Sequence, residues 1–310
     1  MKRFLSLLMF LLCWLNHLQS QDSLYNFGFG NDVNITLDVP AIHPNQKMII
    51  IFYALPNGNT TQQTMGKKPV GDEKPTPNVQ NILAQTKFIR KELKNTDIVV
   101  AYLETSYHSW PLWKTKHTDY IQLVQRITDT IWNHFPSNNK DLYLNGHSGG
   151  GRFIFSYLEG VKEIPSYVKR ISFLDSNYGY DSSYLPKLSN WISSGNDHYL
   201  NVFAYNDSIA LYEGKPFVSA TGGTWYRSYL MLKELGTTIS FKKTLTDSLI
   251  IYTGQHKRVQ FFLKPNYDRG IYHTKQVELN GFIHSVLCGT RYDSRKYKYY
   301  GSKVYDEYIE

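Results

Sequence analysis

The stretch that most constrains this chain is residues 141–160, DLYLNGHSGGGRFIFSYLEG. Asp141 to Asn145 predicts a short buried strand, and Gly146-His147-Ser148-Gly149-Gly150 predicts a sharp turn. Phe153, Ile154, Tyr157 and Leu158 follow at helical spacing and predict the apolar face of a helix. Such a turn puts its central residue in a strained backbone conformation and brings strand and helix very close, so Gly146 and Gly150 are free of side chains. The Ser148 hydroxyl is expected to stand above the sheet, with the N-terminus of the helix beneath it.

Glycine-x-serine-x-glycine between a strand and a helix resembles the nucleophile elbow of the α/β-hydrolase superfamily, which includes serine esterases, lipases and peptidases. The resemblance covers about residues 45–288 and is strongest at 145–151. It implies an α/β-hydrolase fold, a mostly parallel central sheet flanked by helices. It also implies acyl transfer to water through an acyl-enzyme on Ser148, with an acid and then a histidine following in chain order.

A length of 310 residues suits one α/β domain of about 250 to 300 residues. Lys2 and Arg3, the largely apolar run Phe4 to Leu15 and a polar end at Ser20 predict a secretory signal peptide over 1–20. Its apolar part falls short of the roughly 20 residues a membrane span takes, so stable membrane insertion is not expected. Leu12 before Cys13 is bulky where lipoprotein sites carry a small residue, so lipid anchoring is not expected either. With Cys13 removed, only Cys288 remains and no internal disulfide forms. Loss of Lys2 and Arg3 takes the formal charge from +8 to +6, an excess densest in the tail over 289–310. No alternation of aromatic and basic residues suggests nucleic acid as a partner. The 25 tyrosines suit a secreted protein whose groove stacks on sugar rings.

Alternation in Val33, Ile35, Leu37 and Val39 predicts antiparallel opening strands, and Lys47 to Ala54 a central strand buried on both faces. Further strands are expected at 97–103, 169–175 and 199–205, and helices at 78–94, 117–135 and 221–235. Strand signals at 239–245, 249–252, 259–263 and 271–279 add a β-rich insertion before the last catalytic residue.

By the resemblance, Gly149 gives one N–H to an oxyanion hole, and the loop after the strand 47–54 gives the other from Asn57, Gly58 or Asn59. His284, on a glycine-containing loop after the last strand signal, is the best placed base; His273, within a strand pattern, comes second and His256 third. Asp207, after the second strand beyond the elbow, is the expected acid, and Asp175, one strand earlier, is the alternative. Trp110 and Trp113 in the loop after 97–103 are candidate substrate-stacking groups, and His147 is a packed or groove-facing one. No H-E-x-x-H, C-x-x-C or G-x-G-x-x-G spacing appears, so neither metal nor nucleotide cofactor is implied.

The reading reached is a secreted serine carboxylesterase acting on a small-molecule or glycan-linked ester, the second including acylated polysaccharide. A peptidase or amidase with the same triad, or a non-catalytic carbohydrate-binding protein that keeps the fold, are the alternatives.

Overall fold

The computed structural model describes residues 22–30, 32–66, 80–293 and 295–309. The expected signal peptide and nearly all of the proline-bearing loop at 66–77 lie outside the described residues.

A 10-stranded sheet runs through the molecule. Its strands are β1 (Ser23–Phe29), β2 (Val33–Val39), β3 (Lys47–Ala54), β4 (Thr96–Thr105), β5 (Lys140–His147), β6 (Val168–Leu174), β7 (Tyr199–Tyr205), β10 (Lys242–Leu245), β11 (Ile250–Gly254) and β12 (Val259–Lys264). A separate two-stranded ribbon is formed by β8 (Leu211–Tyr212) and β9 (Lys215–Pro216). The spatial order is β1-β2-β4-β3-β5-β6-β7-β12-β11-β10. The six strands from β4 to β12 in that order pair in parallel, while β1, β2, β10 and β11 add antiparallel pairs at the two margins.

Parallel strands covered on both faces must be apolar throughout, and β3 is: Met48 to Ala54 are all buried. Side chains alternate between faces, so Ile50 and Phe52 join one core while Ile49, Ile51 and Tyr53 join the other. The helices in chain order are α1 (Thr61–Met65), α2 (Ile82–Glu92), α3 (Trp110–Lys116), α4 (Tyr120–His134), α5 (Gly151–Gly160), α6 (Leu185–Ser194), α7 (Thr224–Leu235), α8 (Lys275–Glu278) and α9 (Gly281–Leu287). Residues of α4, α5, α6 and α7 cover the first face, and residues of α2 and α9 cover the second. In α4 the buried Val124, Ile127, Thr128 and Ile131 recur at i, i+3, i+4 and i+7, which is why this face turns to the sheet.

The expected opening strands, central strands and C-terminal β addition all form, the addition being the hairpin β10–β11 beyond β12. The strand expected at 271–279 does not form. Glu278 and Leu279 donate to the carbonyls of Thr274 and Lys275 at 2.9 and 3.1 Å, the local bonding of a helix, and Ile271 is exposed. The loop of Trp110 and Trp113 is likewise a helix, α3, capped by Ser109, whose side chain accepts from the Leu112 N–H at 3.2 Å.

Candidate active site

The turn at Ser148 has the expected geometry. Ser148 holds φ +53°, in the left-handed region that a residue with a Cβ rarely adopts. The close approach is real: a Cβ on Gly146 would lie 2.8 Å from the Gly150 carbonyl carbon, and one on Gly150 would lie 2.0 Å from the Ala54 oxygen. Neither contact is tolerable, so β3, β5 and the start of α5 meet only because these positions are glycine.

Ser148 opens onto a cleft of about 280 Å³ whose walls include Asn57, Gly149, Arg152, Ser176 and Tyr178. Ser176 follows the neighbouring strand β6, and its hydroxyl donates to the Gly146 carbonyl at 2.8 Å, tying the two strand ends together. Between β6 and Ser176 stands Asp175, also at positive φ, with its side chain fully buried.

Asp175 carries a histidine contact at this edge of the sheet. His273 Nδ1 lies 2.5 Å from Asp175 Oδ2, and the Thr224 hydroxyl donates to Oδ1 of the same carboxylate. The His273 ring lies 4.4 Å from the ring of His147, the residue before Ser148, and 6.5 Å from that of Tyr178 in the cleft wall. Its side chain is one quarter exposed. His147 is buried, and its Nδ1–H donates to the Leu174 carbonyl at 2.7 Å. Burial, then the neighbouring His273, hold its pKa well below the ordinary value, so a neutral ring stands beside His273.

Asp207 sits one strand further along and is engaged differently. Its carboxylate accepts from the Thr224 N–H at 2.8 Å and the Trp225 N–H at 3.4 Å, capping the start of α7. The Thr224 hydroxyl, 3.3 Å from Asp207, connects it to Asp175. Burial, then the charge of Asp175, push the Asp207 carboxyl up to about 6.

The structure separates His284 from this edge. It lies within α9, whose buried residues belong to the second core, instead of on a loop. Its ring stacks on Tyr299 at 5.2 Å and 13°, meets Phe262 at 4.6 Å, and has Nδ1 2.8 Å from the Tyr297 hydroxyl. A side chain enclosed by these rings is packing, and the expected pairing of Asp207 with His284 gives way to that of Asp175 with His273. His256, in the turn before β12, has positive φ and no part in the cleft.

The tryptophans are also relocated. Trp110 and Trp113 are 2% and 1% exposed, stack edge to face at 5.2 Å, and Trp110 packs on Phe153 of α5 at 4.8 Å. They brace the helix that follows Ser148 and have no free ring face for a substrate. Trp110→Ala is therefore expected to cost about 3–5 kcal/mol in a denaturant melt, the usual penalty for emptying a core site of this size.

Of the loop after β3, Asn57 lines the cleft and its carboxamide lies over Gly149, where a Cβ would come within 1.9 Å of Oδ1. The Gly58 N–H is already spent on the His108 carbonyl at 2.8 Å, which removes it from the oxyanion candidates. Asn59 does not line the cleft. Arg152, Ser176, Tyr178 and Thr224 went unread in the sequence. Arg152 alone left a signal, standing four residues after Ser148 at the start of the helix that follows it.

The parallel sheet, the glycine-bounded turn and a serine at positive φ define an α/β-hydrolase fold. No protein-family model matches the chain, and no curated protein matches it by sequence. Solved structures similar to it include a thermostable esterase, with 13% identity over 83% of this chain and a TM-score of 0.48. This chain spans 59% of that esterase's length. A feruloyl esterase module of Clostridium thermocellum is 12% identical, with 86% of this chain and 89% of that one covered and a TM-score of 0.46. A siderophore hydrolase of Aspergillus nidulans is 12% identical, with 86% and 95% covered and a TM-score of 0.44.

Proposed function

We propose that the protein is a serine hydrolase of carboxylic esters in which Ser148 is the nucleophile, His273 the base and Asp175 the acid. The observation that supports this most directly is the His273–Asp175 pair at the same sheet edge as a serine held at positive φ. A serine hydroxyl is a weak nucleophile until a neighbouring imidazole takes its proton. Asp175 fixes the proton of His273 on Nδ1, leaving Nε2 as the acceptor, and stabilises the imidazolium once formed. Attack of Ser148 Oγ on the ester carbonyl forms the tetrahedral intermediate. His273 then returns the proton to the departing alkoxide, leaving an acyl-serine, and water repeats the sequence to free the acid.

The Gly149 N–H and Asn57 are the groups proposed for the oxyanion, since both border the serine in the cleft. The neutral His147 is proposed to pack behind His273 without competing for the proton. With Trp110 and Trp113 in the core, a sugar-stacking groove loses two of the aromatic residues that suggested it. The substrate proposed is accordingly an ester of modest size, in keeping with a 280 Å³ cleft. Export through the N-terminal signal is proposed on Lys2, Arg3 and the apolar run after them.

The test is a fluorophosphonate probe together with short 4-nitrophenyl esters. Wild-type protein is expected to label covalently and to turn over; Ser148→Ala is expected to lose the label and on the order of 10⁴-fold or more in kcat. An unlabelled wild type without turnover would leave a non-catalytic protein on this fold. Cleavage of matched anilides in preference to esters would make it an amidase.

A further inference from the structure

Resting on the hydrolase reading, we propose that Arg152 makes the cleft a receptor for esters that also bear a carboxylate. Arg152 is the one charged residue among those that line the cleft; its companions are Asn57, Pro111, Ser148, Gly149, Ser176, Tyr178 and Gly179. It is the second residue of α5, four positions after the nucleophile, and both residues line the same cleft.

Three observations say that the charge is kept for a ligand. First, among the described residues Arg152 enters no ion pair, whereas the nearby acids are already held by other groups. Glu159, further along the same helix, accepts from Lys114, Tyr120 and Tyr184, and Glu234 accepts from Tyr180 and Ser182. Second, the guanidinium lies against Gly179. A Cβ there would come within 3.0 Å of Nη1 and 3.2 Å of Cζ, so the bare backbone makes the space in which the cation rests. Third, Tyr178, the other titratable residue among those that line the cleft, is neutral at ordinary pH and offers Arg152 no anionic partner within the lining.

A planar guanidinium with several free N–H groups matches the two oxygens of a carboxylate, and the pairing is stronger in a partly enclosed cleft than in water. An ω-carboxylated acyl ester, with its carbonyl over Ser148 and its carboxylate on Arg152, satisfies both groups at once.

The experiment pairs 4-nitrophenyl esters of succinic, glutaric and adipic acid, each with one free carboxylate, with the corresponding methyl diesters that carry no charge. Wild type is expected to favour the best-fitting carboxylate over its neutral partner by at least about tenfold in kcat/KM. Arg152→Gln is expected to lose most of that ratio and Arg152→Lys to keep part of it. Equal ratios in wild type and Arg152→Gln overturn the proposal, as does a wild type that disfavours every charged ester. Calorimetric titration of glutarate into the Ser148→Ala protein separates the two readings. Glutarate binding that requires Arg152, together with a wild type that no fluorophosphonate labels, keeps the anion site and sinks the hydrolase; labelling of wild type without glutarate binding or charge preference does the reverse.

Discussion

His273→Ala is expected to lower kcat on short esters by on the order of 10⁴-fold, because in the proposed triad a serine without its base keeps only the contribution of binding and the oxyanion donors. His284→Ala, by contrast, is expected to stay within about threefold of wild type in kcat and to be paid for in stability. Its ring stacks on Tyr299 and its Nδ1 meets the Tyr297 hydroxyl, so truncation empties a core site and strips a buried phenol of its partner. A loss of about 2–4 kcal/mol is expected in a denaturant melt. Acid sensitivity gives a second readout. Burial, the largest cause, lowers the His284 pKa to about 4 against the opposing charge of Asp293. The unfolded chain therefore takes up a proton near pH 6.5 that the folded protein refuses until about pH 4. Stability from this group is complete above the unfolded value and is lost as the pH falls through that window. His284→Ala should flatten the dependence between pH 6.5 and 4. Wild-type turnover in His273→Ala, or its collapse in a folded His284→Ala, would reverse the assignment of the base.

The second large effect separates two aspartates that follow neighbouring strands. Asp175→Asn places an amide where a carboxylate now accepts from His273 Nδ1, favouring the wrong tautomer of the ring. A fall of about 10⁴-fold in kcat is expected. Asp207→Asn keeps an oxygen for the Thr224 N–H and is expected to stay within about tenfold of wild type. The pH dependence of its stability carries the opposite sign to that of His284. The Asp207 carboxyl is pushed up to about 6 by burial and by the charge of Asp175, so the folded protein holds a proton that the unfolded chain has released near pH 4. The favourable contribution is present below that lower value and disappears as the pH rises through 6. Asp207→Asn, which does not titrate, is expected to lose less stability than wild type between pH 4 and 7, as chemical denaturation at the two ends will measure.

The elbow was legible because its constraint is local: glycine at 146 and 150, and a strand and a helix on either side, are all written within twenty residues. The buried strands were legible for a similar reason, since a strand covered on both faces has no polar alternation to mislead. The histidine was not. Ile271, Val277 and Leu279 alternate with polar residues as an edge strand would, yet His273 lies on the loop before α8, and a Gly281 that looked like a loop residue opens α9. Either aspartate fits the chain order; the choice between them turns on which one a loop leaving β12 reaches, a matter of three-dimensional distance with no mark in spacing. The tryptophans were more readable than they seemed. Ser109 with Pro111 is a helix start, and a helix of about two turns next to the elbow has to bury its large rings.

The polar, tyrosine-rich end of the chain has a consequence of its own. Tyr297, Tyr299 and Tyr305 are buried in the second core, with Tyr299 against His284, Phe262 and Phe203. During synthesis the face under α4 to α7 has all its helices long before these rings leave the ribosome, while the other face, covered in part by α2 and α9, is completed only when Tyr297 to Tyr305 emerge. A nascent chain stalled before Tyr297 would then display Phe203, Phe262 and His284 to any chaperone in reach, and clipping the tail from the finished protein would recreate that surface.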